Sequence, residues 1–508
     1  MYAFTPKPLP HRELNMHPRA TWVKDPKLSD LFIFLLMGSV APLMLFLAGT
    51  LQTKWLIFIA LFLCFSAVLL IIPAERRFLI LLFFFFFFIP IRIDFNPAYI
   101  ESYFFRPFDG FALHLHELPF VIVFLIWMFR LVRYPEEKIH FIPLISIPFA
   151  LIFFLTAAGL INSDCPLAIK AGGLKLALES GLIFLFFANT IRDDRALRLI
   201  IVALTATIAI QAAIGFLQYF TGGLLGLESF GEAQRGFFMA QAGLEAISRV
   251  GGTLGHPNKL AVYLDFLLPV SIALLFSGLD HRLKRYFVLP VLLLGMVLDL
   301  MTASRGGWVG LVGGGAIAVY ACLARLTRRR VTSLALVFCL LIVMAVTAII
   351  FVGSVRKRIT QDDYGSAYIR IPMSKVALNI IRHNPFFGVG LTNYTSVAQG
   401  YDETVEAISY NFPMPVHNEY LLMASEQGLP AMFLFVFIQL VVAVQLVQLA
   451  RTRGSPLKPF LAIGFLGGMA AWTFHLQFEF THVLISPSFW SYIGLIQAMV
   501  IWPDPEKK

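Results

Sequence analysis

Phe78 to Ile93, FLILLFFFFFFIPIRI, is the stretch whose reading decides the fold. Its one charge, Arg92, stands near the far end, and no polar face recurs at the 3.6-residue period of a helix lying on a soluble core. Such a segment suits hydrocarbon about 30 Å thick. Working outward, apolar runs about 16 to 22 residues long recur through a chain of 508 residues. Hydrophobic residues make up 58% of it, and the mean hydropathy is +0.78. The sequence reads as an all-α polytopic membrane protein, and the missing polar faces argue against a very hydrophobic soluble enzyme.

Fourteen spans are predicted, near 31–49, 55–73, 78–93, 117–132, 141–161, 172–190, 197–220, 259–277, 286–303, 307–324, 332–353, 428–450, 459–477 and 487–502. With a cytoplasmic N-terminus, the even-numbered connections carry the basic clusters, among them Arg76 with Arg77, Arg282 with Lys284 and Arg285, and Arg328 to Arg330. The short odd-numbered connections hold only Lys54, Arg92, Arg106, Lys170 and Arg305. Basic residues stay on the cytoplasmic side, so both termini are expected inside. This distribution accounts for much of the formal charge of +10 without a nucleic-acid partner. Residues 1–30 hold five basic residues and no apolar run, and no cleaved signal peptide is expected. Cys64, Cys165, Cys322 and Cys339 are scattered without a metal-ligand or disulfide pattern.

The expected division is a cytoplasmic segment 1–30, N-terminal transmembrane helices 31–220, a first outside loop 221–258, central helices 259–353, a large outside loop 354–427, and C-terminal helices with a short tail, 428–508. Long connections in a compact protein tend to carry function. The second begins Arg356-Lys357-Arg358, passes the turn-like Asp362-Asp363-Tyr364-Gly365, and shows helical spacing over Ser374 to Ile381. Gly306, Gly310 and Gly314 recur every fourth residue and predict close helix packing. Gly313-Gly314-Gly315 follows no strand, which argues against a nucleotide loop.

Arg305, Arg370 and His417 sit at or between span ends on one side of the bilayer, where a charge is costly and marks a candidate site. Arg305, between Ser304 and two glycines, reads either as an interfacial anchor or as an anion clamp, and its flanking residues favour the clamp. Arg370 stands beside Tyr368 and ahead of the predicted loop helix. His417 is followed by Asn418 and, further on, Glu426, either of which offers it an orienting partner. His475, Glu479 and His482 are placed on one helical face with metal-like spacing, for which helix packing is the plainer reading. His256-Pro257-Asn258 has the proline expected at a helix start. Asp362-Asp363 reads as turn chemistry before a cation site, and His114, His116 and Glu117 receive no role.

Arg249, Gly252-Thr253, Pro257-Asn258, Ser304-Arg305-Gly306, Arg370, Asn384-Pro385-Phe386-Phe387-Gly388-Val389-Gly390, and His417-Asn418-Glu419-Tyr420-Leu421 with Glu426 and Gly428 together resemble the O-antigen ligase and polymerase superfamily, over about residues 200–440. The resemblance implies a GT-C-like bundle of about 12–14 helices. It implies metal-independent, cofactor-free glycosyl transfer from a polyprenyl-diphosphate-linked oligosaccharide to a glycan acceptor, on the periplasmic face of a bacterial inner membrane, in surface-polysaccharide synthesis. It assigns Arg305 and Arg370 to the diphosphate and His417 to the acceptor hydroxyl or diphosphate, and matches Arg249 to a further basic position; beside it, Arg249, His256, Asn258, Tyr368, Asn418 and Glu426 are expected as substrate contacts. A polymerase is favoured over a ligase to lipid A core. An anion transporter is the competing class, and would place Lys175, Glu179 and Asp299 near the middle of broken helices.

Overall fold

The computed structural model describes residues 66–96, 99–100, 105–108, 110–161, 163–233, 238–242, 245–327 and 368–502, with the single positions 63 and 332. The expected spans 31–49 and 332–353, most of 55–73, the basic runs Arg328 to Arg330 and Arg356 to Arg358, and Asp362-Asp363 lie outside the described residues. The chain divides into a unit ending at Ile80 and a unit running from Leu81 to Lys508. In the first, the Arg77 guanidinium folds back onto Ile72 O at 2.9 Å and Leu70 O at 3.1 Å, giving a charge in an apolar stretch two carbonyl acceptors.

The protein is a mostly helical, polytopic membrane protein. Its main helices are α1 Ala74–Phe88, α2 Glu117–Arg133, α3 Pro143–Ile161, α4 Leu167–Thr190, α5 Asp194–Thr221, α6 Pro257–Phe276, α7 Leu289–Met301, α8 Arg305–Thr327, α9 Arg370–His383, α10 Glu419–Gln427, α11 Leu429–Ala450, α12 Lys458–His475 and α13 Pro487–Ile501. Among the described residues, α3, α4, α5, α6, α8 and α11 are long and apolar enough to cross a bilayer. The expected spans that fall on described residues all coincide with helices, and α7 is entered through the helical turns of His281–Leu283 and Lys284–Val288.

The quoted opening stretch does have an inner face. Leu81, Leu82, Phe85 and Phe86 are fully buried, and Phe85 and Phe86 meet the Phe187 ring of α4 at 5.0 and 5.1 Å. At the centre, α6, α8 and α12 pack through small residues. A Cβ on Gly314 would lie 2.7 Å from the Ala471 Cβ, and one on Gly310 would lie 2.9 Å from Ala471 O and 3.0 Å from Asp265 Oδ2. The every-fourth-residue glycines thus let two helix backbones approach, as their spacing predicts.

The connection between α5 and α6 carries an antiparallel hairpin, Phe238–Ala242 with Glu245–Arg249. In the long connection between α8 and α10, α9 buries Met373, Val376, Ala377 and Ile380 against Tyr394, Leu422 and Phe480. Helical spacing over Ser374 to Ile381 extends back to Arg370, which begins α9 and does not precede it.

Candidate active site

The hairpin's last residue, Arg249, donates from Nε to Thr302 O at 2.7 Å and from Nη2 to Asn258 Oδ1 at 2.5 Å. Asn258 Nδ2 in turn donates to Glu479 Oε2 at 2.5 Å. This chain ties together the hairpin, the start of α6, the α7–α8 turn and the loop after α12. Glu479 is buried, and burial alone raises its carboxyl. His417, His256, the Asn258 amide and Phe480 N–H more than offset that, leaving it below the ordinary 4.5 and therefore ionised.

His417 lies half-buried, with its ring edge-on to Phe480 at 5.4 Å. Its Nδ1 is 3.1 Å from Pro415 O. A carbonyl only accepts, so Nδ1 carries the proton and Nε2 keeps its lone pair. Burial, then the charge of Arg370, hold His417 below the usual histidine range, while Glu479 pulls the other way. Arg370 is half-buried, its guanidinium 6.0 Å from the Phe478 ring. The neutral imidazole, the carboxylate and the arginine form one electrostatic group.

His256 is the N-cap of α6, its Nδ1 accepting from Asn258 N at 3.2 Å, as the proline after it predicts. Burial first, then Arg249, Lys259 and His417, push it down to about 3 against the pull of Glu479. Arg305 opens α8, half-buried, directly after Ser304. Ala303 takes a positive φ of 50°, a conformation L-residues seldom adopt. Ser304 Oγ is 3.2 Å from His475 Nε2, and His475 Nδ1 is 2.7 Å from Asp265 Oδ2. That is the order of a hydrolase triad. Here the serine oxygen also accepts from Gly307 N at 3.4 Å and is almost wholly buried, so the three lock the α8 turn that presents Arg305.

Several expectations change. Glu426 is not the partner of His417. Its Oε1 accepts from Tyr394 N at 3.3 Å and its Oε2 lies 3.9 Å from His482 Nε2, and burial raises it to about 8. Asn418 caps α10, accepting from Leu421 N at 3.0 Å and donating to Gln477 O at 3.2 Å. Tyr368 is exposed and donates to Glu406 Oε1 at 3.1 Å, within the loop. His475, Glu479 and His482 do not share a helical face, because α12 ends at His475. They turn respectively to Asp265, Asn258 and Glu426. Lys175 and Glu179 lie in the continuous helix α4, which lacks the break a transporter reading needs. Glu479, ranked low from sequence, is the carboxylate at the centre of the group. Its signal was a glutamate in the short apolar connection 477–486, where a charge needs a reason.

No curated protein matches the chain. Residues 289–436 match the sequence model of the O-antigen ligase family. That segment contains Arg305, Arg370 and His417, while Arg249, Asn258 and Glu479 reach the same group from outside it. That match over residues 289–436, together with the helical membrane architecture, supports the resemblance of this part of the chain to the O-antigen ligase and polymerase superfamily.

Proposed function

We propose that the protein transfers an oligosaccharide from a polyprenyl-diphosphate donor to a glycan acceptor hydroxyl, at the periplasmic face of a bacterial inner membrane. The observation that carries this reading is the grouping of Arg370, His417 and Glu479 beside the Arg249–Asn258 chain, at the ends of the helices that present Arg305. Breaking the anomeric C–O bond places negative charge on the leaving diphosphate. Arg305 and Arg370 stabilise that charge with fixed guanidinium groups in a partly dry setting. His417 Nε2 takes the acceptor proton as the hydroxyl attacks, and Glu479 stabilises the imidazolium that forms. Attack from the face opposite the diphosphate inverts the anomeric centre. With another lipid-linked repeat as acceptor the product is a polymer, which is the reading we favour over transfer to lipid A core.

The test is a reconstituted assay with purified protein and lipid-linked donor. Arg305→Lys, which keeps charge but loses the planar fork, is expected to lower turnover roughly 10²-fold. His417→Ala is expected to lower the maximal rate about 10²- to 10⁴-fold with donor binding preserved, and Arg370→Ala to weaken both. Wild-type turnover in Arg305→Lys would reduce Arg305 to an interfacial anchor, and equal loss of donor binding in the other two would move His417 into the diphosphate clamp. Turnover is expected to persist in chelator.

A further inference from the structure

A second polar region lies apart from the arginines assigned to the diphosphate. About 1230 Å³ of open space, partly continuous with solvent, is lined by Arg92, Lys259, His116, Glu179, Trp472 and Phe489, among others. Arg249, Arg305, Arg370 and His417 do not line it. Arg92 is exposed, and Lys259, in the first turn of α6, is half-buried with its ammonium 5.7 Å from the Phe105 ring and 6.0 Å from that of Phe480. Among the described residues neither side chain has an ion pair or a hydrogen-bond acceptor, and Glu479, the carboxylate nearest in effect to Lys259, is committed to Asn258. Their joint field is felt by His482, which burial, then Lys259 and Arg92, push down to about 3. Two cations facing one cavity repel each other, and an anion between them relieves both.

The other end of the cavity has the opposite need. Glu179 lies with its two oxygens shielded from solvent and without a well-directed hydrogen bond, although Lys175 Nζ stands 3.1 Å from Oε2 and His116 Nε2 3.5 Å from Oε1. His116, Glu117 and Glu179 have the spacing of a metal site, but the Lys175 ammonium, bonded to Glu117 as well, already supplies the positive charge there. Two carboxylates against one ammonium leave this end acidic, so an anion is favoured only at the cationic end. Aromatic side chains line the walls between, a mixture suited to a ligand with apolar ring faces and a few polar groups.

Resting on the glycan-transfer reading above, we infer that this cavity receives a glycan carrying a sugar carboxylate of the uronic-acid type, with the carboxylate between Arg92 and Lys259 and the sugar ring faces against the aromatic walls. A diphosphate would leave the aromatic walls unused and bring a higher negative charge towards Glu179.

The full-length protein in lipid nanodiscs is titrated with a glucuronate-containing oligosaccharide and with its carboxyl-reduced counterpart. The acidic glycan is expected to bind at least about tenfold more tightly and to weaken as salt rises. Arg92→Gln with Lys259→Gln is expected to remove the preference, and the charge-keeping pair Arg92→Lys with Lys259→Arg to retain it. Should the double variant fail to fold, Arg92→Gln alone decides, since that side chain is exposed. Equal affinity of the wild type for both glycans, or a preference that survives loss of the cations, overturns the inference. So does full displacement of the acidic glycan by inorganic diphosphate, which would give the anion site to the lipid donor. Because the readout is binding, a protein that prefers the acidic glycan yet transfers nothing would sink the glycosyltransferase reading separately.

Discussion

His417 gains its character from groups far away in sequence, and pH reports it. A neutral imidazole acting as base makes kcat/KM rise with pH through its pKa and then level off. Burial and Arg370 hold that pKa below 6.5, so the plateau is expected to begin on the acid side of the ordinary histidine value. Removing the Arg370 charge with Arg370→Gln should move the acid limb upward, and removing the Glu479 charge with Glu479→Gln should move it downward. A limb that ignores both changes would take the base role from His417. The sequence displayed Arg305, Arg370 and His417 because charge amid hydrocarbon is conspicuous in any single chain. It did not display the carboxylate partner. Glu426 stands nine residues after His417 and Glu479 sixty-two, yet chain reversal after α12 brings the distant one close.

Among elements, the α8–α12 contact is the most exposed to substitution. Gly314→Leu forces a side chain against Ala471 and the backbone at Gly467, and overpacking of this kind costs about 1–3 kcal/mol. At Gly313, one residue earlier, an added Cβ meets nothing within 4 Å, so Gly313→Leu should be tolerated. Thermal unfolding in detergent checks the pair, and equal midpoints would mean that α8 is not packed as described. Helix positions were readable because a bilayer demands long apolar runs, whatever the side chains within them. Which face of each run turns inward was not. In α1, six consecutive phenylalanines conceal that Phe85 and Phe86 are buried while Phe83, Phe84, Phe87 and Phe88 are only half-buried. The helix α9 was legible from its apolar spacing, since it is the amphipathic case that periodicity detects.

At the scale of the molecule, the orientation read from basic residues decides where the chemistry happens. A periplasmic reporter fused after residue 240 or 400 should be active, and one after 285 or 330 silent, with the reverse pattern placing the site in the cytoplasm. Segment 385–390, after α9, is also tied down. Val389 N donates to Ser425 O and Gly390 N to Glu426 O, each at 2.9 Å, and Leu429 N donates to Pro385 O at 2.8 Å. Gly388 and Gly428 take φ of 63° and 87°, and a Cβ on Gly388 would come within 2.5 Å of Gln427 N. Segment 385–390 and the α10–α11 junction are therefore stitched backbone to backbone, with no room between them for side chains. A stitch of this sort opens as a whole or stays shut. Amide deuteration of Val389, Gly390 and Leu429 should be slow and should accelerate together, whereas the turn around exposed Val405 exchanges early. An arm so fastened is no hinged cover. On the proposed function, the lipid-linked substrate enters and leaves past a fixed rim, and turnover should survive a cross-link that pins this arm in place.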